Sequence, residues 1–257
     1  MWFSVLWLPC SGAPLRAVVG GAPVSPRAFA IDPETVVGAR HYSRGYPAQN
    51  PDDSVNAVIE IPTGTTGKFE VDEASGWLRW QHAREGGRRA VDYLAFVVNY
   101  GMVPRTLAPD GDALDIVVLG AGIERGHVAA TRVIGVLKMG EESERDDKLI
   151  AVPVEPALEN GFTRLTDLHE LDDHYPASRT IIETWFSYYW GAGATNVLGW
   201  GDAAEARAIL DAARLRAFVR PMRPSARGLH LRAPWPSGGR ARSPRQPDRQ
   251  AARGSAY

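Results

Sequence analysis

Asp110-Gly-Asp-Ala-Leu-Asp115 puts three carboxylates within six residues, on a glycine-containing turn that feeds directly into the apolar run Ile116-Val-Val-Leu119. Adjacent carboxylates raise one another's pKa, so this crowding costs free energy unless a cation offsets it. A hard divalent ion held by oxygen ligands meets that need. Two other acidic groups suit the same site. Glu60 and Glu70 alternate with apolar residues in short runs, and Gly140-Glu-Glu-Ser-Glu-Arg-Asp-Asp147 carries five acids in eight residues. Basic residues lie in the same stretches: Lys68, Arg88 or Arg89, and Lys148. Carboxylates alone bind a cation; lysine as a point charge and arginine as a bidentate fork add the means to hold phosphate. Tyr100 and Tyr189 could donate to phosphate oxygens, although Tyr189 lies on an apolar helical stripe and could equally be core.

Other chemistries lack their residues. An EF-hand loop starting at Asp110 needs Gly at its sixth position and Glu at its twelfth, where this chain has Asp115 and Ala121. His169 and His174 are five apart, not the i, i+4 of a helical zinc pair. No serine nucleophile elbow and no glycine-rich phosphate loop occurs. Hydrolysis by these residues calls for metal-activated water, not a covalent intermediate.

The elements that must position these groups follow from periodicity. Ala57-Val-Ile-Glu-Ile-Pro62, Lys68-Phe-Glu-Val71 and Trp77-Leu-Arg-Trp80 read as a three-stranded meander with turns at 63–67 and 72–76. Alternation places Glu60 opposite Ile59 and Ile61, and Lys68 with Glu70 opposite Phe69 and Val71. Asn99-Tyr-Gly101 reads as a turn with an aromatic at its tip, and 115–119, 131–137 and 148–152 as further strands. Beyond residue 160 the pattern becomes helical. Ile181, Ile182, Trp185, Phe186 and Tyr189 form one stripe; Asp202-Ala-Ala-Glu205 is a capping box opening a helix with Ile209, Leu210, Ala213 and Phe218 on one side. Strands first and helices after give an α+β fold whose strand-rich core could close into a small barrel.

Charge divides the chain. Residues 51–219 hold 16 Lys and Arg against 27 Asp and Glu, whereas 220–257 hold nine Arg, six Pro and one acid. Three regions are therefore expected: a poorly ordered N-terminal extension over 1–50, a globular domain over 51–219, and a disordered Arg/Pro-rich tail over 220–257. The single Cys10 rules out an intramolecular disulfide and a cysteine-rich zinc site. No apolar run is long enough to span a bilayer. The location expected is cytoplasmic, with export or lipid anchoring as the alternative if the apolar residues 1–10 are a signal remnant. An acidic body without a basic, aromatic-studded face argues against a specific nucleic-acid partner.

Taken together, these residues resemble the soluble inorganic pyrophosphatases of family I, over about Val55 to Phe218. The most specific element is the family's Asp-Gly-Asp-Pro-hydrophobic-Asp signature, present here as Asp110 to Asp115 with Ala113 in the proline position. Glu60-Ile-Pro62, Lys68-Phe-Glu70, Asn99-Tyr-Gly101, Val136-Leu-Lys138 and Asp146-Asp-Lys148 support it in order. The resemblance implies a small five-stranded closed β-barrel of OB-like form flanked by helices. It also implies several Mg²⁺ ions, hydrolysis of pyrophosphate to two phosphates, and a homo-oligomer. By position, Asp110, Asp115, Asp146 and Glu141 would be metal ligands and Asp112 the general base. Glu60 and Glu70 would complete the catalytic polar shell. Lys68, Arg88, Tyr100, Lys148 and Tyr189 would hold substrate, with Arg84 and Arg89 as alternatives to Arg88. Phe96 stands where a tyrosine is expected, and Trp190 where the family has a phosphate-binding lysine. A weakened or non-catalytic relative that binds metal and phosphate is the alternative.

Overall fold

The structure, a computed structural model, describes residues 17–83, 85–141, 144–191 and 195–219. The chain begins with β1 (Val18–Val19), β2 (Ala22–Pro23), β3 (Ala28–Asp32) and β4 (Thr35–Gly38). It continues through β5 (Val55–Ile61), β6 (Phe69–Asp72), β7 (Trp77–Trp80), β8 (Asn99–Met102) and β9 (Asp115–Val118). Then come β10 (Val128–Glu141), β11 (Glu144–Arg145), β12 (Lys148–Pro153), α1 (Leu168–His174), α2 (Ser178–Tyr188), β13 (Asn196–Asp202) and α3 (Ala203–Val219).

β10 is the 14-residue strand on which most of the sheet hangs. It pairs antiparallel with β5 and with β12. β12 runs parallel to β9, β9 antiparallel to β8, and β8 antiparallel to β5. The ladder path thus returns to β10 where it began. Successive residues feed opposite faces of this ring, as pleating requires. Ile116, Val118, Leu149 and Ala151 pack with Ala206, Leu210 and Ala213 of α3. Val117, Ile150 and Val152 pack with Leu168, Ile182, Trp185 and Phe186 of α1 and α2. Both faces being covered, these strands read as continuous apolar runs rather than as alternation. Asp202 caps α3, its Oδ1 accepting from the Glu205 amide at 2.8 Å, as the capping box predicted.

Several expectations are corrected. The meander does not form: β6 and β7 pair with each other, while β5 joins β8 and β10. Residues 17–50, expected to be poorly ordered, form β1 to β4. β4 pairs with β7 to build the four-stranded sheet β3-β4-β7-β6, with Val36 and Tyr42 buried against Phe69 and Leu78. Strands of two to five residues carry too little periodicity to announce themselves; β4 is placed by β7 and β3 by β4, while β1 and β2 pair with each other. Asn99-Tyr-Gly101 is strand, not turn. A Cβ at Gly101 would collide with the carbonyl oxygen of Val58 on β5, so the glycine permits close strand approach. Ile181 and Phe218 are 56% and 86% exposed and leave their predicted apolar stripes. β13, which also pairs with β10, and the short α1 were not anticipated. Cys10 and the segment 220–257 lie outside the described residues. Among the described residues no helix is long and apolar enough to cross a membrane.

Candidate functional site

Register brings the central charges together. In the parallel β9–β12 ladder Asp115 lies opposite Lys148, and in the β8–β9 ladder Tyr100 lies opposite Val117, diagonal to Asp115. The Lys148 ammonium, 1% exposed, reaches Asp115 Oδ2 at 2.6 Å and Asp146 Oδ1 at 2.8 Å. The Tyr100 hydroxyl donates to the same Asp115 oxygen at 2.5 Å. Burial works against ionising Asp115, but Lys148 and the Tyr100 hydrogen bond outweigh it and hold the carboxyl below its usual range. Burial likewise opposes the charge on Lys148, and Asp115 and Asp146 more than restore it, raising its pKa. Tyr100 is pushed well above the usual phenol by burial and by those two carboxylates, so it acts as a donor.

The turn that delivers Asp115 is locked by its own backbone. Gly111 adopts φ +94°, a conformation that favours glycine. Asp110 Oδ1 accepts from the Asp112 amide at 3.1 Å, and Thr106 Oγ1 accepts from the Leu114 amide at 2.9 Å. Asp112 is buried, between Asp110 and Asp115 on this turn. Asn99 secures the far end of the neighbouring strands. Its amide donates to the carbonyls of Val118 and Ala121, and its Oδ1 accepts from Thr63 and Ile123.

A second group approaches from β6. Lys68, buried, pairs with Glu70 at 3.2 Å. Its ammonium lies 5.9 Å from the Tyr100 ring centroid, which is also 5.6 Å from Lys148 Nζ, so one aromatic ring is near both cations. Glu60, 4% exposed, accepts from the Val71 amide at 2.8 Å. Its carboxyl is pushed up to about 8, chiefly by burial and next by the charge of Glu70.

That shift has a stability consequence. The unfolded chain releases this proton near 4.5 and the folded chain only near 8. The stability it confers is complete below the lower value and lost as pH rises through the higher one. Glu60→Gln should therefore become progressively more stable relative to the parent protein across that window, by about 1.4 kcal/mol per pH unit at most. Urea melts of both proteins in chelator, at several pH values, check this; parallel pH profiles would show that Glu60 is ionised in the fold.

Sequence reasoning placed Arg88 at the site with Arg84 and Arg89 as alternatives, and the structure sets Arg88 and Arg89 in different surroundings. Residues 88 and 89 are adjacent in an extended segment and point to opposite sides. Arg88 Nε bonds Glu34 at 2.7 Å, its guanidinium 4.9 Å from the Trp80 ring centroid. The Lys68 amide donates to the Arg89 carbonyl at 3.1 Å, setting Arg89 beside Lys68, with its guanidinium 4.6 Å from the Trp190 ring centroid. Arg84 lies outside the described residues, as does the side chain of Glu141, whose backbone ends β10. Tyr189 is buried, stacked on Trp185 and adjoining Trp190. Phe96 fills the same aromatic cluster against Tyr100, Trp185 and Tyr189.

One residue was missed. Arg125 is fully buried with its guanidinium 3.7 Å from the Phe69 ring centroid, and none of its three side-chain nitrogens has a hydrogen-bond partner among the described residues. Burial brings its pKa down to about 9, with Glu60 acting in the opposite direction. A lone arginine in a loop carries no sequence signal of burial.

The donor set is all oxygen, which suits a hard divalent cation. Among the described residues no three carboxylates or imidazoles close on one point. Asp115 and Asp146 nevertheless converge on a single cationic nitrogen, so the pair is already arranged around positive charge. The fold and site define a class: an acidic centre, ringed by lysine and arginine, at strand ends of a mostly β domain. A family model described as inorganic pyrophosphatase matches residues 57–217, and the chain belongs to that family. Inorganic pyrophosphatase of Gluconobacter oxydans is 36% identical over 168 residues, covering 64% of this chain and 91% of the relative. That of Sulfolobus acidocaldarius is 32% identical over 165 residues, covering 63% and 90%. The Thermus thermophilus inorganic pyrophosphatase structure aligns with a TM-score of 0.59 at 27% identity, covering 69% of this chain and 98% of that one. The Coxiella burnetii structure gives 0.58 at 29% identity, covering 66% and 99%.

Proposed function

We propose that this chain hydrolyses inorganic pyrophosphate to two phosphates, with Mg²⁺ as its divalent cofactor and the ring of five ladders serving as a closed OB-like barrel. The observation that carries this reading is the buried Lys148 ammonium set between Asp115 and Asp146. Asp110, Asp115, Asp146 and Glu141 would hold the metal, which when bound acidifies water and neutralises phosphate charge. Asp112 takes the proton of the attacking water. Lys68, Lys148 and Arg89 bind the phosphate oxygens, and Lys148 also stabilises the charge that develops on the leaving phosphate. Tyr100 holds Asp115 in place. Glu60 and Glu70 complete the polar shell, with Glu70 orienting Lys68.

Purified protein given pyrophosphate and Mg²⁺ is expected to release phosphate, and chelation to stop it; release that persists in excess chelator overturns the reading. Arg89→Met should lower kcat/KM by about 10- to 100-fold, the loss of one charge-assisted phosphate contact, whereas Arg88→Met should leave it within about 3-fold. Steady-state kinetics of the two variants decide between them.

A second reading, a relative that binds without turnover, rests on Phe96 and Trp190, whose aromatic packing supplies neither hydroxyl nor amine. Calorimetric binding of pyrophosphate without phosphate release would select it.

A further inference from the structure

Trp190 stands where two of the site's cations meet. The Arg89 guanidinium is 4.6 Å and the Lys68 ammonium 5.4 Å from its ring centroid. Trp190 is in turn seated on Tyr189, centroid to centroid at 4.9 Å, and Tyr189 is buried on Trp185 at 4.8 Å. The indole is therefore anchored by packed aromatics and has two cationic groups close to its ring. Those cations come from two separate segments joined by a backbone hydrogen bond, the Lys68 amide donating to the Arg89 carbonyl at 3.1 Å. Two like charges held this close repel each other. A shared aromatic face is one of the few neutral partners able to attract both. Tryptophan is the strongest such face among the side chains.

We infer that Trp190 is a positioning residue: its indole fixes the Arg89 guanidinium and the Lys68 ammonium at the spacing that grips a phosphate. The inference rests on the reading of the site as a pyrophosphate centre. Arg and Lys side chains carry large rotamer entropy, and fixing them before substrate arrives lowers the cost of binding. The role predicts an effect on substrate capture rather than on the chemical step. A lysine at this position would add a third positive charge to the two already present and remove the surface that holds them.

The test uses the full-length protein with Mg²⁺ and pyrophosphate, together with calorimetry of inorganic phosphate binding. Trp190→Leu is expected to raise the pyrophosphate KM and the phosphate Kd by about 10-fold, with kcat within about 3-fold of the parent. Trp190→Phe keeps a weaker aromatic face and should shift KM by only about 2- to 4-fold. In the double variant with Arg89→Met, the Trp190 effect should shrink to the part exerted through Lys68. Unchanged KM and Kd in Trp190→Leu, fully additive effects with Arg89→Met, or tighter phosphate binding by Trp190→Lys would each overturn the inference. Should Trp190→Leu fail to fold, the Trp190→Phe and Arg89→Met cycle gives the same decision. Failure of the parent protein to hydrolyse pyrophosphate would instead strike the proposed function, so the two failures are distinguishable.

Discussion

Lys148→Met is expected to destabilise the metal-free protein by about 3–5 kcal/mol, the usual cost of removing one member of a buried ion pair. The magnitude follows from position. Lys148 is almost wholly buried and lies between two carboxylates that are themselves nearly covered, at 2.6 and 2.8 Å. Without the ammonium, Asp115 and Asp146 lose the positive charge they share, while the Tyr100 hydroxyl still bonds Asp115. A divalent cation can take over the lost charge, so added Mg²⁺ should raise the melting temperature more in Lys148→Met than in the parent. Turnover should stay low even at saturating metal, by about 100-fold or more, because a charge aimed at developing phosphate charge is gone. Equilibrium unfolding with and without Mg²⁺ checks the first part. A variant as stable as the parent in chelator would show that the ammonium does not hold the two carboxylates.

Much of this site was legible because the site residues sit at fixed offsets within strands. Asp115 and Lys148 each begin a run of β-branched and aliphatic residues, so the strand assignments put both at strand ends. That they face one another depends on a parallel pairing across 33 positions, which no local pattern encodes. Tyr100 was identified as a donor, yet Asn99-Tyr-Gly101 reads as a turn because Asn and Gly are strong turn formers. In the fold, Asn99 is spent on four hydrogen bonds to other segments, and Gly101 on close approach to β5. Tertiary demands outweighed propensity at both positions.

Choosing among the arginines was beyond the sequence for a related reason. Counting residues cannot choose between neighbours when loop length varies, whereas strand-like alternation sends Arg88 to Glu34 and Arg89 to Trp190. Glu60 was placed on a polar face, but every residue of β5 is buried, so its alternation separates two covered faces. The strands at 28–38 were missed because β4 takes its place from β7 and β3 from β4, and only the partner reveals them.

Asp112→Asn should lower pyrophosphate turnover by about 10³-fold while leaving the fold and metal-free stability close to those of the parent. Asparagine keeps the size and polarity of the side chain on the locked turn, where the Asp112 backbone amide is held by Asp110 and its carbonyl by Ala108. It removes the negative charge and with it the capacity to take a proton. The most direct measurement of the central claim is thus phosphate release from pyrophosphate and Mg²⁺, with parent and Asp112→Asn proteins at equal concentration. Two phosphates formed per pyrophosphate by the parent, at about 10³ times the variant's rate, is the predicted result; a parent protein no faster than Asp112→Asn contradicts it.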